Sequence, residues 1–345
     1  FLYMLPFEFE FNTTSSPECD VCLDPQKLFV KLFKRTIVLL SGPTGSGKTD
    51  VSLALAPMID GEIVSVDSMQ VYQGMDIGTA KVSLKARQEI PHHLIDIRHV
   101  QEPFNVVDFY YEAIQACQNI LSRNKVPILV GGSGFYFHAF LSGPPKGPAA
   151  DPQIREQLEA IAEEHGVSAL YEDLLLKDPE YAQTITKNDK NKIIRGLEII
   201  QLTGKKVSDH EWDIVPKASR EYCCRAWFLS PETEFLKNNI QMRCEAMLQE
   251  GLLEEVRGLL NQGIRENPSA FKAIGYREWI EFLDNGEKLE EYEETKRKFV
   301  SNSWHYTKKQ KTWFKRYSIF RELPTLGLSS DAIAQKIAKD YLLYS

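Results

Sequence analysis

The chain has no apolar run long enough to cross a bilayer, so no membrane helix is expected. Cysteine is scarce, with six in 345 residues. That is too few for a disulfide framework at this length. The one close pair, Cys19 and Cys22, has no second pair nearby to complete four zinc ligands. Cys117, Cys223, Cys224 and Cys244 fall in helix-like or strand-like runs and read as reduced core residues. No Lys or Arg precedes Lys27, and Glu8 and Glu10 interrupt the apolar start. Neither a secretory leader nor an Arg-rich transit peptide is expected. The expectation is a cytoplasmic protein with a poorly ordered extension over residues 1–34. An excess of positive charge is also lacking: 41 Lys and Arg stand against 48 Asp and Glu, a net −7. This argues mildly against a nucleic-acid partner, although charges can cluster.

What is present begins at residues 41–49, S-G-P-T-G-S-G-K-T. Gly42, four residues, then Gly47, Lys48 and Thr49 fit the phosphate-loop pattern. The β-branched run at residues 36–40 before it reads as a buried strand, and residues 51–56 after it open a helix. The glycines let successive N–H groups point at an anion, and the new helix adds its positive end. Lys48 supplies a charge for phosphate oxygens and Thr49 a hydroxyl for magnesium. The loop does not say whose phosphate it binds.

A second strand, residues 62–66, ends at Asp67 and Ser68. Ligands of open parallel sheets bind beyond the carboxyl ends of strands, which places Asp67 at the same crevice. An Asp there equally suits a turn or helix cap, and position does not choose. Residues 69–81 read as a binding loop. His92 and His93 are adjacent and cannot share one face, which argues against a zinc pair. Another buried strand, residues 126–130, runs into Gly131, Gly132, Ser133 and Gly134, a second glycine-rich loop. Proline and glycine at residues 142–151 mark a hinge. A charged helical subdomain then appears inserted over residues 148–217, with Leu158, Ile161, Leu170, Leu174, Ile193, Leu197 and Ile200 as its apolar face. Core character returns at residues 224–229. Residues 233–262 read as one long amphipathic helix containing Arg243. Residues 296–321 hold nine Lys and Arg and no Asp or Glu, interleaved with Trp304, Tyr306, Trp313, Phe314 and Tyr317. That pattern fits nucleic acid as well as it fits an amphipathic helix with core aromatics and wet lysines. The fold class is therefore α/β: a P-loop-containing parallel sheet flanked by helices, over residues 35–147 and 218–322, with the inserted helical subdomain. Residues 323–345 read as a tail with one short helix.

Six motifs occur in one order: G-P-T-G-S-G-K-T, V-D-S-M-Q-V-Y-Q-G-M-D-I-G-T-A-K, H-H-L-I-D, V-G-G-S-G-F-Y, K-A-I-G-Y-R and Q-K-T-W-F-K-R. The set closely resembles the bacterial tRNA dimethylallyltransferase (tRNA isopentenyltransferase) family, over roughly residues 35–322. The resemblance implies transfer of a dimethylallyl group from its diphosphate to the exocyclic amine of the adenine 3′ of the tRNA anticodon. It implies that Gly42, Pro43, Thr44, Gly45, Ser46, Gly47, Lys48 and Thr49 hold the diphosphate, with Mg2+ at Thr49, rather than ATP. Asp67 would take the amine proton, Ser133 would bond the leaving diphosphate and Arg243 would stabilise its charge. Contacts to the tRNA anticodon stem-loop would come from Asp67, Ser68, Met69, Gln70 and Ser133. Arg155, Asn191, Lys192, Ile193, Ile194 and Arg195 would add to these, as would Lys272, Ala273, Ile274, Gly275, Tyr276 and Arg277. A monomer without a membrane partner is expected.

Two departures stand out. The family usually carries Thr at the position of Ser133, and often a second Arg where Asn239 stands. The chemistry suits the residues, because a poor amine nucleophile gains from a carboxylate and a leaving diphosphate from cations and N–H groups. Prenylation of free AMP, ADP or ATP is the alternative. A P-loop nucleotide kinase rests on the phosphate loop alone, and an RNA-binding protein without catalysis leaves Asp67 and Ser133 unused. The inserted subdomain and the basic stretch favour tRNA. The absence of cysteine after Cys244 suits the bacterial form, which lacks a C-terminal zinc finger.

Overall fold

The computed structural model describes residues 35–144, 147–210 and 222–344. The N-terminal extension, the Cys19–Cys22 pair and the expected boundary near residue 217 lie outside them. The described residues fall into two compact units, one drawn from residues 142–216 and the other from the chain before and after.

The larger unit is built on six strands: β1 (Arg35–Ser41), β2 (Gly61–Val66), β3 (His92–His93), β4 (Val126–Gly131), β5 (Tyr222–Ser230) and β6 (Phe320–Pro324). Their order is β3-β2-β4-β1-β5-β6, and every pairing is parallel. Parallel strands need crossovers, so helices cover both faces. Neighbouring residues of β1 alternate between the two cores. Ile37 and Leu39 join the larger apolar cluster, while Val38 and Leu40 join the smaller. β4 and β5 do the same through Leu129 against Ile128 and Phe228 against Trp227.

The helices of this unit are α1 (Lys48–Met58), α2 (Leu84–Glu89), α3 (Val106–Ser122) and α4 (Gly134–Ser142) before the insertion. Those of the smaller unit are α5 (Pro152–His165), α6 (Val167–Lys177), α7 (Pro179–Gln183) and α8 (Lys190–Thr203). The larger unit resumes with α9 (Thr233–Gln249), α10 (Leu252–Asn261), α11 (Pro268–Phe271), α12 (Tyr276–Asp284), α13 (Leu289–Phe314) and α14 (Ser330–Tyr344).

Two expectations are corrected. The stretch 233–262 is not one helix: Gly251, at φ 100°, ends α9 and opens α10. Only a glycine adopts that backbone cheaply, and apolar spacing continues on both sides of it. Residues after 322 are not a peripheral tail. β6 is a strand of the sheet, and Ile333, Ala334, Ile337 and Ala338 of α14 are buried with α1 in the smaller core.

In the smaller unit, Leu158, Leu170, Leu174, Ile193 and Leu197 form the core. Ile161, expected there, is 40% exposed. Glu198 is fully buried. It accepts from Arg155 Nε at 2.9 Å and from the Asp151 N–H at 2.8 Å, and it also pairs with Arg195.

Candidate active site

Three loops meet where β1, β2 and β4 end level. Ser41 pairs with Gly131, and Val66 pairs with the same glycine from the other side. The fit needs glycine: a Cβ on Gly131 would stand 2.0 Å from the Val66 carbonyl oxygen. The phosphate loop, Asp67 and Gly132 are thus neighbours by register.

Gly45 and Gly47 take φ near +80°, which curls the phosphate loop. α1 has no side-chain cap at Gly47, so its first N–H groups are open to an anion. Lys48 Nζ donates to the carbonyls of Gly42 at 2.8 Å and Pro43 at 2.9 Å. Asn239, where the second arginine was missed, donates to the Gly45 carbonyl at 3.0 Å and holds the loop from α9.

A cleft of about 90 Å³ is lined by Thr44, Lys48, Thr49, Asp67, Gly132 and Arg243 among others. Burial pushes the Lys48 ammonium down to about 7; Arg243 adds to this and Asp67 opposes it. Burial likewise pulls Arg243 below its ordinary value, against the Asp67 carboxylate. Two cations and one carboxylate therefore share a poorly solvated space. An anion placed there would relieve the repulsion between the cations.

Asp67 closes a turn and also lines the cleft. Oδ1 accepts from the N–H groups of Met69 at 2.8 Å and Gln70 at 3.3 Å, closing the turn. Oδ2 has no hydrogen-bond partner among the described residues, and the side chain lines the cleft. The Thr49 hydroxyl likewise has no partner among them, and the residue is exposed at the same cleft. No cluster of three His, Cys, Asp or Glu is placed to hold a metal among the described residues. The Thr49 hydroxyl is the group at this cleft that would suit a hard cation such as magnesium.

The second glycine loop leads into α4, with the Ser133 N–H on the Val66 carbonyl at 3.3 Å. Beside Ser133 stands Tyr306 of α13. Burial pushes its phenol up to about 12, and the Asp67 charge adds to this.

The chain matches the IPP transferase family model over residues 70–317. The chain belongs to the IPP transferase family. A tRNA dimethylallyltransferase of Chlamydia caviae is 71% identical over 337 residues, covering 98% of each chain. One of Chlamydia trachomatis serovar L2 is 67% identical over 323 residues, covering 94% of this chain and 95% of the relative. Among solved structures, the full-length tRNA isopentenylpyrophosphate transferase of Bacillus halodurans superposes with a TM-score of 0.66 at 36% identity, over 90% of this chain and 97% of that one. A eukaryotic dimethylallyltransferase acting on tRNA gives 0.72 at 25% identity, over 90% and 80%.

The motifs of this IPP transferase divide by burial. Ser68, Met69 and Gln70 follow Asp67 in partly exposed positions, and Gln70 lines the cleft. In K-A-I-G-Y-R, Lys272 is exposed and Ile274 and Arg277 are partly so. Ala273 and Tyr276 are buried, and the Gly275 N–H is bonded to Glu278 at 2.8 Å. The Tyr276 hydroxyl donates to Glu255 Oε1 at 2.7 Å. Glu255 also accepts the N–H groups of Asp76, Ile77 and Gly78, at 3.0, 2.7 and 3.1 Å. The side chain of Tyr276 thus helps anchor the binding loop. In the smaller unit Asn191 and Lys192 are exposed, whereas Ile193 and Ile194 are buried in its core. Arg155 and Arg195 are partly exposed and tied to Glu198.

In the basic, aromatic stretch the aromatics pack inward and the lysines face outward. Phe314 is buried, and Trp313 stacks on Tyr317 at 4.2 Å against the core. Lys308, Lys309 and Lys315 are exposed on the other side. The sequence did not single out Gln310, although a signal was available. Phe299, Ser303, Thr307, Gln310 and Phe314 form one buried helical stripe with polar residues in it. Nothing local in the sequence marks Glu255 as a loop anchor.

Proposed function

We infer that this chain is an enzyme, a prenyltransferase that moves a dimethylallyl group from dimethylallyl diphosphate to the exocyclic amine of the adenine 3′-adjacent to the tRNA anticodon. Diphosphate is released. The observation that carries this reading is the cleft that sets the Asp67 carboxylate among Lys48, Arg243 and the uncapped phosphate loop. The names of the curated relatives support the same chemistry.

The adenine amine attacks the terminal methylene of the prenyl group as the carbon–oxygen bond to diphosphate breaks. The amine proton passes to Asp67 through the oxygen not used in its turn. Lys48, Arg243 and the N–H groups at the start of α1 receive the charge that grows on the diphosphate, with the Ser133 hydroxyl at the second loop. Magnesium held at Thr49 would neutralise part of that charge. The adenine must leave its stack to reach the cleft, which suits an unpaired loop base. The exposed lysines of α13, and Asn191 and Lys192 of α8, are suited to phosphate contacts. Action in the cytoplasm as a monomer belongs to the same reading.

The test is mass analysis of tRNA nucleosides after incubation with dimethylallyl diphosphate and magnesium. One prenyl group on the adenosine following the anticodon is expected. Prenylation of free AMP at the rate seen with tRNA would overturn the choice of acceptor. ATP turnover stimulated by tRNA, with no mass added, would overturn the reaction.

A further inference from the structure

Gln310 is a polar side chain on the buried stripe of α13 and only 6% exposed. Its Oε1 accepts from the Thr44 N–H at 2.8 Å and from the Thr44 hydroxyl at 3.1 Å. Its Nε2 donates to the Gly132 carbonyl at 3.1 Å. One amide thus bonds both glycine loops, and it lines the cleft between them. The contact is close. A Cβ on Gly132 would stand 2.2 Å from Gln310 Nε2, and one on Gly134 would stand 2.2 Å from the ring of Trp313, one turn further along.

The tie also decides which loop amides can serve an anion. The Thr44 N–H is taken by Gln310, and the Ser46 N–H by the Pro43 carbonyl at 3.2 Å. The N–H groups of Gly47, Lys48 and Thr49, at the uncapped start of α1, remain for the ligand. An ordinary core glutamine would bond whatever backbone lies nearest. This one joins two loops that approach the diphosphate from different strands.

We propose that Gln310 is a positioning residue for the diphosphate: by tying the Thr44 amide to the Gly132 carbonyl, it fixes the spacing of the two loops that grip it. The proposal rests on the diphosphate reading above. Gln310→Met keeps the length of the side chain and removes all three bonds. The dissociation constant of inorganic pyrophosphate with magnesium, measured by calorimetry, should rise about tenfold. KM for dimethylallyl diphosphate should rise alongside it, with a smaller fall in kcat and unchanged tRNA affinity. A residue that merely packs α13 would lower thermal stability and leave that KM alone.

Amide exchange on the wild-type protein gives a measurement that does not depend on the variant folding. The Thr44 amide should be protected before ligand is added, and those of Gly47, Lys48 and Thr49 only after pyrophosphate. A folded Gln310→Met protein with wild-type pyrophosphate affinity and KM would overturn the proposal. So would a Thr44 amide that exchanges as fast as that of Gly47 in the free protein. If the wild type binds no pyrophosphate at all while Thr44 is protected, the tie stands as structure and the diphosphate reading is what fails.

Discussion

Residues 42–49 and residues 272–277 carry equally recognisable motifs, yet they put opposite faces of the chain to use. In the first, backbone N–H groups, Lys48 and Thr49 line an open cleft. In the second, Ala273 and Tyr276 are buried, and the tyrosine hydroxyl holds Glu255, which in turn holds the turn at Asp76, Ile77 and Gly78. A motif can recur because it touches the ligand, or because it shapes the loop that does. Burial of the named side chain separates the two cases.

The strongest way to break this contrast lies at Asp67. Asp67→Asn keeps an oxygen for the N–H groups of Met69 and Gln70, so the turn should survive. The single-turnover transfer rate should fall by about 10²–10⁴-fold if the second oxygen takes the proton. A transfer rate close to wild type in a folded protein would remove Asp67 from the chemistry and leave it as a turn residue.

Lys48→Met should weaken pyrophosphate binding by about 10–100-fold, the worth of a hydrogen bond from a charged group. Its pH dependence is sharper still. Burial holds the Lys48 ammonium down to about 7, so this charge is lost as pH rises through that range. Binding an anion raises this value, so pyrophosphate binding should draw a proton onto the enzyme as pH passes through and above 7. Calorimetry in buffers of different ionisation enthalpy measures the uptake. Lys48→Met should abolish that component, and an identical proton count in both proteins would contradict the assignment.

Tyr276→Phe sharpens the other side of the contrast. It removes one of four hydrogen bonds to Glu255 and should cost about 1 kcal/mol of stability in denaturant unfolding. tRNA affinity should change by less than the loop's loosening would explain. A stable variant with tenfold weaker tRNA binding would return Tyr276 to the ligand. The smallest effect belongs to Lys192, exposed on the first turn of α8 and paired with Asp189 at 3.4 Å. Lys192→Gln should leave stability within about 0.5 kcal/mol and lower the salt dependence of tRNA binding by about one counterion. An unchanged salt slope would take this lysine out of the interface.

The strands and the phosphate loop could be read from the sequence because their signals are local. β1, β2 and β4 are short apolar runs with a glycine or aspartate at the carboxyl end, and parallel topology then fixes which ends converge. The break at Gly251 escaped notice because apolar spacing continues through it. β6 and α14 read as a tail because their partners, β5 and α1, lie far away in the chain. Lys48, Thr49, Asp67 and Arg243 were legible as chemistry. The bonds of Asn239 to Gly45 and of Gln310 to Thr44 were not, since each joins residues far apart that only the finished fold brings together.

The strand order has a consequence for how the protein is made. β1 is translated first, yet one of its two neighbours is β5, which itself awaits β6 near the end of the chain. While the ribosome is still working through the insertion, β1 has an unpaired flank beside the newly formed phosphate loop. The face that α14 later covers is bare as well. An open strand edge beside exposed apolar surface invites pairing with other nascent chains. Slow elongation between residues 142 and 222 should therefore raise aggregation, and a chain truncated before residue 320 should be captured by chaperones rather than released as a working half.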